Sequence, residues 1–365
     1  MAKTERAAGS KVRLVVLFGG QSAEHEVSCV TAASVLGAVD RDRYEVVPIG
    51  ITTGGQWVVA EDAVAALEAG ATALLPAGRA IEPGARGLAV TDQTVVFPLL
   101  HGPMGEDGTV QGMLELAGVP YVGTGILGSA LAMDKAKARE VCERAGLPMA
   151  KWLARRDGAI EPDLARIVGD ALGWPVFVKP SNMGSSVGVT KVKTTAGLEA
   201  AVDLALQYDE WVVVEEAIVG REVECGVLGL TEPRASVVGE IIPKAEFYDY
   251  DDKYSGDGAE LVVPANVPTE VSDRTRELAL AAFDAVRAEG LARVDFFYEE
   301  PGRGLLLNEV NTMPGFTPFS MYPRLWAASG IRYDELIDEL VRLAVERHDR
   351  RSNRVGRPRP QLGTS

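Results

Sequence analysis

Hydrophobic and polar positions follow two textures along the chain. In the first third, unbroken apolar runs lead through small or polar residues into helical periodicity. VRLVVLF (12–18) stops at Gly19 and Gly20, and a helical pattern follows from about Val27 to Val39. YEVVPIGI (44–51) and TVVFPLL (94–100) are further strand-like runs, each followed by a loop and a helix. This alternation predicts a parallel, doubly wound sheet. Residues 54–92 carry one short strand signal, WVVA, within Gly- and Ala-rich sequence, and read as an elaboration. SALAMDKAKAREVCERAG (129–146) reads as one helix, stopped by Gly146 and followed by Pro148.

Beyond that point the texture becomes α+β. Strand candidates are WPVFVKP, GVTKV, WVVVEEA, EVECGVLGL and SVVGEIIP, with one good helix at 195–207. A helix over 269–288 precedes the strands ARVDFFYEE (292–300) and GLLLNEVN, and a terminal helix covers 333–348. Soft boundaries near 124 and 219 divide the chain into segments 11–123, 124–218 and 219–348. The tails, 1–10 and the basic, proline-bearing 349–365, read as disordered. There is no internal repeat.

Composition narrows the class. The chain has 365 residues, 47% hydrophobic and 24% charged, which supplies a sizeable core and suggests two or three domains. Its net charge of −15 opposes non-specific nucleic-acid binding but leaves room for one phosphorylated ligand held by local lysines. No apolar run is long enough for a membrane span, and MAKTERAAGS lacks the apolar stretch of a signal peptide. Cys29, Cys142 and Cys225 lie far apart, which reads as a reduced, cytoplasmic setting without a cysteine metal site. With His25, His101 and His348 as its only histidines, the chain has no histidine-rich metal site either.

Several motifs carry chemistry. FGGQSAEHEVS (18–28) ends a strand in Gly-Gly before a helix, as a dinucleotide site requires, yet the G-x-G-x-x-G fingerprint is absent. Glu24, His25 and Glu26 stand in its place. A carboxylate there repels a pyrophosphate and suits an ammonium; the same residues also read as an acidic helix start. HGPMGEDGTVQG (101–112) crowds Gly and ionisable residues at a strand's end, or alternatively forms a tight loop with Asp107 as helix cap. VFVKPSNMGSSVGV (176–189) delivers Lys179 on a strand and then small residues and hydroxyls that can turn donors toward an anion. It is not a Walker A loop, because the lysine precedes the glycines. WVVVEEAIVGREVE (211–224) could offer backbone groups to an adenine edge and a carboxylate to ribose, or be simply solvated. Asp295 punctuates one apolar strand, and Glu309 and Asn311, two apart on another, face one side. One Asp, one Glu and one Asn make a hard-oxygen set suited to Mg²⁺ beside phosphates. FYDYDDKYSG (247–256) is an exposed loop or a lid.

Lys179 with its Gly/Ser loop and the Asp…Glu-x-Asn set resemble the ATP-grasp fold. GGQSAEHEVS, HGPMGEDGTVQG, AMDK, KPSNMGSSVGV, FYDYDDKY, ARVD and NEVNTMPGFTPFSMYP occur in the order typical of D-alanine–D-alanine ligases, from about Val12 to about Arg347. The resemblance implies a Rossmann-like N-terminal domain and two α+β domains that grasp ATP. It implies ATP-dependent joining of two D-alanines through an acyl phosphate, two Mg²⁺ (or Mn²⁺) ions and a homodimer. By residue, it implies Lys135 and Lys179 at the ATP phosphates, with Ser185 and Ser186 in the phosphate loop. Glu215, Ala217 and Ile218 fall at adenine and Glu222 at ribose, while Lys253 reaches toward the transferred phosphate. Asp295, Glu309 and Asn311 are the implied metal ligands. Glu26 holds the first substrate's ammonium, with His101 nearby and Ser185 and Tyr254 as its hydrogen-bonding partners. Arg293 and Gly315 stabilise the oxyanion, and Ser320 and Met321 line the second substrate's site. Still open are D-lactate or D-serine as second substrate, a dehydrogenase built on the first strand, and an ATP-binding regulator without catalysis.

Overall fold

The first apolar run becomes β1 (Val12–Gly19), buried continuously from Leu14 to Phe18. An uninterrupted apolar strand needs cover on both faces, and parallel pairing through helical crossovers provides it. β2 (Tyr44–Ile51) and β5 (Thr94–Pro98) both pair with β1 in parallel. α1 (His25–Ala38), α2 (Ala63–Glu68) and α3 (Thr109–Ala117) fall between or after these strands. The computed structural model describes residues 11–243 and 259–354. The elaboration forms β3 (Trp57–Val59) and β4 (Arg79–Ile81), which extend the sheet antiparallel in the order β4-β3-β2-β1-β5. The sheet is thus mixed, where alternation alone predicts a parallel one.

The stretch that reads as one helix is two, α4 (Ile126–Met133) and α5 (Lys135–Arg144). Asp134 breaks it: its backbone is extended and its side chain accepts from Lys137 N–H, capping the second helix. A second sheet follows, made of β6 (Trp152–Arg156), β7 (Val176–Pro180), β8 (Thr190–Val192) and β9 (Trp211–Glu216). Its order is β6-β9-β7-β8, antiparallel throughout. α6 (Leu164–Ala171) and α7 (Leu198–Ala205) pack on it through Leu164, Val168, Leu198 and Val202.

The third sheet comprises β10 (Arg221–Gly229), β11 (Arg234–Pro243), β12 (Ala259–Val262), β13 (Gly290–Glu299) and β14 (Gly304–Asn311). Its order is β12-β11-β10-β13-β14, again antiparallel. α8 (Thr269–Ala285) covers it, and α9 (Met321–Ala328) and α10 (Tyr333–Ser352) close the described chain. The terminal helix runs past His348 into the basic stretch and ends at Ser352, which corrects the tail expected from 349 onward. β6, β12, α6 and α9 are not apparent in the sequence pattern. Among the described residues no helix is long and apolar enough to cross a membrane.

Core packing does not follow chain order. Ala132, Cys142 and Leu147 pack with Leu278, Phe283 and Val294, so α4 and α5 share the third sheet's core. Phe316, fully buried, lies 5.6 Å from Phe97 of the first sheet and 5.5 Å from Tyr333 of α10 (ring centroids). One cluster thereby joins the first sheet to the chain's last helices. Truncating so central a ring leaves a cavity, so Phe316→Ala should lower unfolding free energy by about 3–5 kcal/mol in urea titrations. A loss below about 1 kcal/mol would show that this cluster does not join the two parts.

Candidate active site

Strands of the second and third sheets, and the segments that follow β1 and β5 of the first, line one cleft of about 1190 Å³. Its walls are built by local rules. β1 ends at Gly19 with φ near +86, and a Cβ there would lie 2.2 Å from Ile51 O, so only glycine permits the turn. Gly19 N–H donates to Ser28 Oγ at 2.8 Å, which ties the turn to α1. Glu24, immediately before that helix, is buried and points inward, while Glu26 is exposed. Ser185 Oγ donates to Glu24 Oε1 in a short hydrogen bond. Ser185 therefore meets Glu24 rather than the expected Glu26, which also lines the cleft but is exposed.

His101 follows β5. It is buried, its Nδ1 is 3.1 Å from Met313 O, and burial pushes its imidazole below the ordinary value against the pull of Glu24. Donation from Nδ1 leaves Nε2 as an acceptor, and that atom has no partner among the described residues. Glu106, not singled out from sequence, accepts from Gly102 N–H at 2.7 Å and Met313 N–H at 3.2 Å. Burial first, and Glu24 second, push its carboxyl up to about 8. Two crowded carboxyls beside a neutral imidazole are a setting that a ligand cation relieves.

Another part of the lining is cationic. Lys135 N–H and Ala136 N–H bond to the carbonyl and hydroxyl of Ser181, whose Oγ donates to Asp134 at 2.7 Å. This stitch seats the start of α5 against the end of β7, which carries Lys179. Lys179 Nζ is 2.7 Å from Glu215 Oε2, and Arg139 Nη2 is 2.6 Å from Glu215 Oε1. Lys135 donates to Met183 O, and burial lowers its ammonium's pKa. Ser185 and Ser186 both hold left-handed backbone, with φ near +46 and +58, where the loop turns back over the cleft. Glu215 is thus a partner of the cations. Ile218 and Glu222 line the cleft; Ala217 does not, and its N–H donates to Pro175 O at 3.1 Å. That bond engages the Ala217 N–H as a donor, while Ile218 beside it lines the cleft.

Register brings the acidic set together. Asp295 pairs with Glu309 across β13 and β14, and Arg293 pairs with Asn311. Arg293 donates to both Asp295 oxygens at 2.7 Å and lies 2.9 Å from Glu224 on β10. Asn311 Nδ2 is 2.8 Å from Asp295 and 3.5 Å from Glu309. Turning the Asn311 amide over would aim Oδ1 at the same point. Each carboxylate oxygen has two lone pairs, so Asp295 can hold Arg293 and still serve a cation. The three residues thus fit a hard divalent ion. Gly315, Ser320 and Met321 line the cleft beyond them; Ser320 Oγ accepts from Thr317 N–H at 3.1 Å and Met321 is buried. Lys253 and Tyr254 lie outside the described residues.

Family models settle what this assembly belongs to. One described as D-ala D-ala ligase N-terminus matches residues 13–124, and one described as D-ala D-ala ligase C-terminus matches 141–342. The chain belongs to the D-alanine–D-alanine ligase family. A ligase of that name from Paenarthrobacter aurescens is 50% identical, over 92% of this chain and 95% of its own. The solved D-alanine–D-alanine ligase of Coxiella burnetii is 35% identical, with TM-score 0.81 over 94% of this chain and 96% of that one. That of Bacillus anthracis, complexed with ATP, is 27% identical, with TM-score 0.72 over 93% and 99%. The mixed α/β architecture is that of ATP-grasp proteins.

For this ligase-family chain, the seat of α5 is a test of the cationic wall. Asp134→Ala removes both the helix cap and the acceptor of Ser181, and should lower stability by about 1–2 kcal/mol in denaturant titrations. No measurable loss would show that α5 is held by other contacts.

Proposed function

We propose that the chain joins two D-alanine molecules into D-alanyl-D-alanine, driven by ATP cleavage, for peptidoglycan precursor synthesis. The observation that carries this reading is one cleft holding a carboxylate wall, a cationic wall and a hard-oxygen set, in a chain of this family. The dehydrogenase reading is disfavoured because the Glu24 carboxylate occupies the end of β1 where a pyrophosphate would rest. Three buried free cysteines support a reduced, cytoplasmic setting. The homodimer stays a family expectation, to be checked by sedimentation.

In this reading the first D-alanine places its ammonium at Glu24, beside Glu106 and the neutral His101. Its carboxylate oxygen attacks the γ-phosphorus of ATP. Lys135 and Lys179 hold the phosphates and offset charge on the group in flight. Asp295, Glu309 and Asn311 would hold Mg²⁺, which supplies further charge neutralisation at the phosphates. ADP departs and an acyl phosphate remains. The second D-alanine's free amine then attacks that carbonyl. Arg293, held in place by Asp295 and Glu224, and the Gly315 N–H face the oxyanion that forms. As it collapses, the carbon–oxygen bond to phosphate breaks, the nitrogen gives up one proton to the departing phosphate, and hydrogen phosphate leaves with the dipeptide. Ser320 and Met321 wall the second amino acid.

Two measurements test this. D-alanine-dependent phosphate release should require a divalent ion and fall steeply in Asn311→Ala; full activity in EDTA would refute the metal set. Glu24→Ala should lower turnover on the order of 100-fold, and Glu26→Ala should stay within about threefold of wild type. The reverse ranking would return the ammonium site to Glu26. Product analysis with D-alanine, D-serine and D-lactate together identifies the second substrate.

A further inference from the structure

The cationic wall contains a residue that the reaction does not use. Arg139 sits on α5, one turn beyond Lys135, and its side chain is 2% exposed. It does not line the cleft. Its Nε and Nη1 have no hydrogen-bond partner among the described residues. Nη2 faces Glu215 Oε1 at 2.6 Å and the Asn308 carbonyl at 3.4 Å. Lys179 takes the other oxygen of the same carboxylate at 2.7 Å.

The charge count makes this arrangement informative. Lys179 and Glu215 alone would form a neutral pair, with little field left for a ligand anion. Arg139 makes it two cations on one carboxylate, and Lys135 stands beside them. A further carboxylate, Glu309, acts on Lys135, but the proposed reaction assigns it to the metal. Burying an incompletely paired arginine is costly, and a purely structural ion pair has no need of a third and fourth charge. Burial alone would raise the Glu215 carboxyl, yet Arg139 and Lys179 together hold it below its ordinary value.

We infer that Arg139 is a positioning residue for the nucleotide: by sharing the Glu215 carboxylate it leaves Lys179 with uncompensated charge for the phosphates and fixes where that ammonium stands. This rests on the reading of the cleft as an ATP site. It assigns Arg139 an effect on nucleotide affinity without contact to the nucleotide. In its absence Glu215 is left to Lys179 as its nearest cation, and the phosphates lose part of that cation's charge.

The test titrates Mg·ADP into the whole chain by calorimetry. Arg139→Met should weaken ADP about tenfold, the size of one impaired charged contact. In steady state it should raise the KM for ATP by a similar factor and leave kcat within about threefold. Arg139→Lys keeps the charge and should bind ADP within about threefold of wild type. Arg139→Met combined with Glu215→Gln frees Lys179 again and should bind ADP more tightly than Arg139→Met alone, even though it removes a second buried charge. A structural role predicts the opposite, with thermal stability falling and ADP affinity unchanged in Arg139→Met, or no recovery in the combined variant; either result overturns the inference. If Arg139→Met does not fold, a tenfold loss of ADP affinity in a folded Arg139→Lys overturns it equally. Wild-type protein that fails to bind ADP overturns the ATP reading itself, and the inference with it.

Discussion

The loop from Asn311 to Ser320 depends on one buried ring. Phe316 packs against Phe97, Tyr322 and Tyr333, and its carbonyl accepts from the Tyr333 hydroxyl at 2.6 Å. That anchor fixes a loop that reaches outward through Met313 to His101 and Glu106 and through Gly315 to the cleft, and that Ser320 ties back onto Thr317. The site draws on three sheets, and productive geometry tolerates little displacement between them. A well-packed aromatic cluster is stiff, and this one lies directly behind the loop that touches the first sheet.

What could be read along the chain follows from periodicity. The Glu309–Asn311 pair was legible because strand side chains alternate, so two residues apart means one face, and Asp295 because it interrupts an apolar strand; the register sets it opposite Glu309. Lys179 was legible because an ionised lysine punctuating an apolar strand demands a reason. Glu24 was not, since it sits at the junction where helical spacing begins, and no periodic rule says which of Glu24 and Glu26 turns inward. Arg139 and Glu106 were hidden for a different reason. Each lies in sequence that reads as ordinary polar helix or loop, and only tertiary contact shows what it faces. α9 escaped because Pro323 lies within its first turn, where proline is tolerated but reads as a breaker.

The distribution of charge also departs from composition. A chain with a net charge of −15 places Lys135 and Lys179 at its cleft with Arg139 buried behind them against Glu215. The carboxylates Glu24 and Glu106 line the same cleft. The molecule's long-range field and its local field therefore have opposite signs at the phosphate end, and the local one decides what is held.

The wall around Glu24 is main chain on two sides. A methyl group added at Gly102 would come within 2.9 Å of its carboxylate, and one added at Gly184 within 2.7 Å. An inhibitor that nestles against this wall presses on backbone that has no side chain to exchange. A change at either position could only enlarge a glycine, and the first carbon it adds drives Glu24 away from Ser185. Escape from such an inhibitor at these two glycines would break the Ser185–Glu24 contact itself.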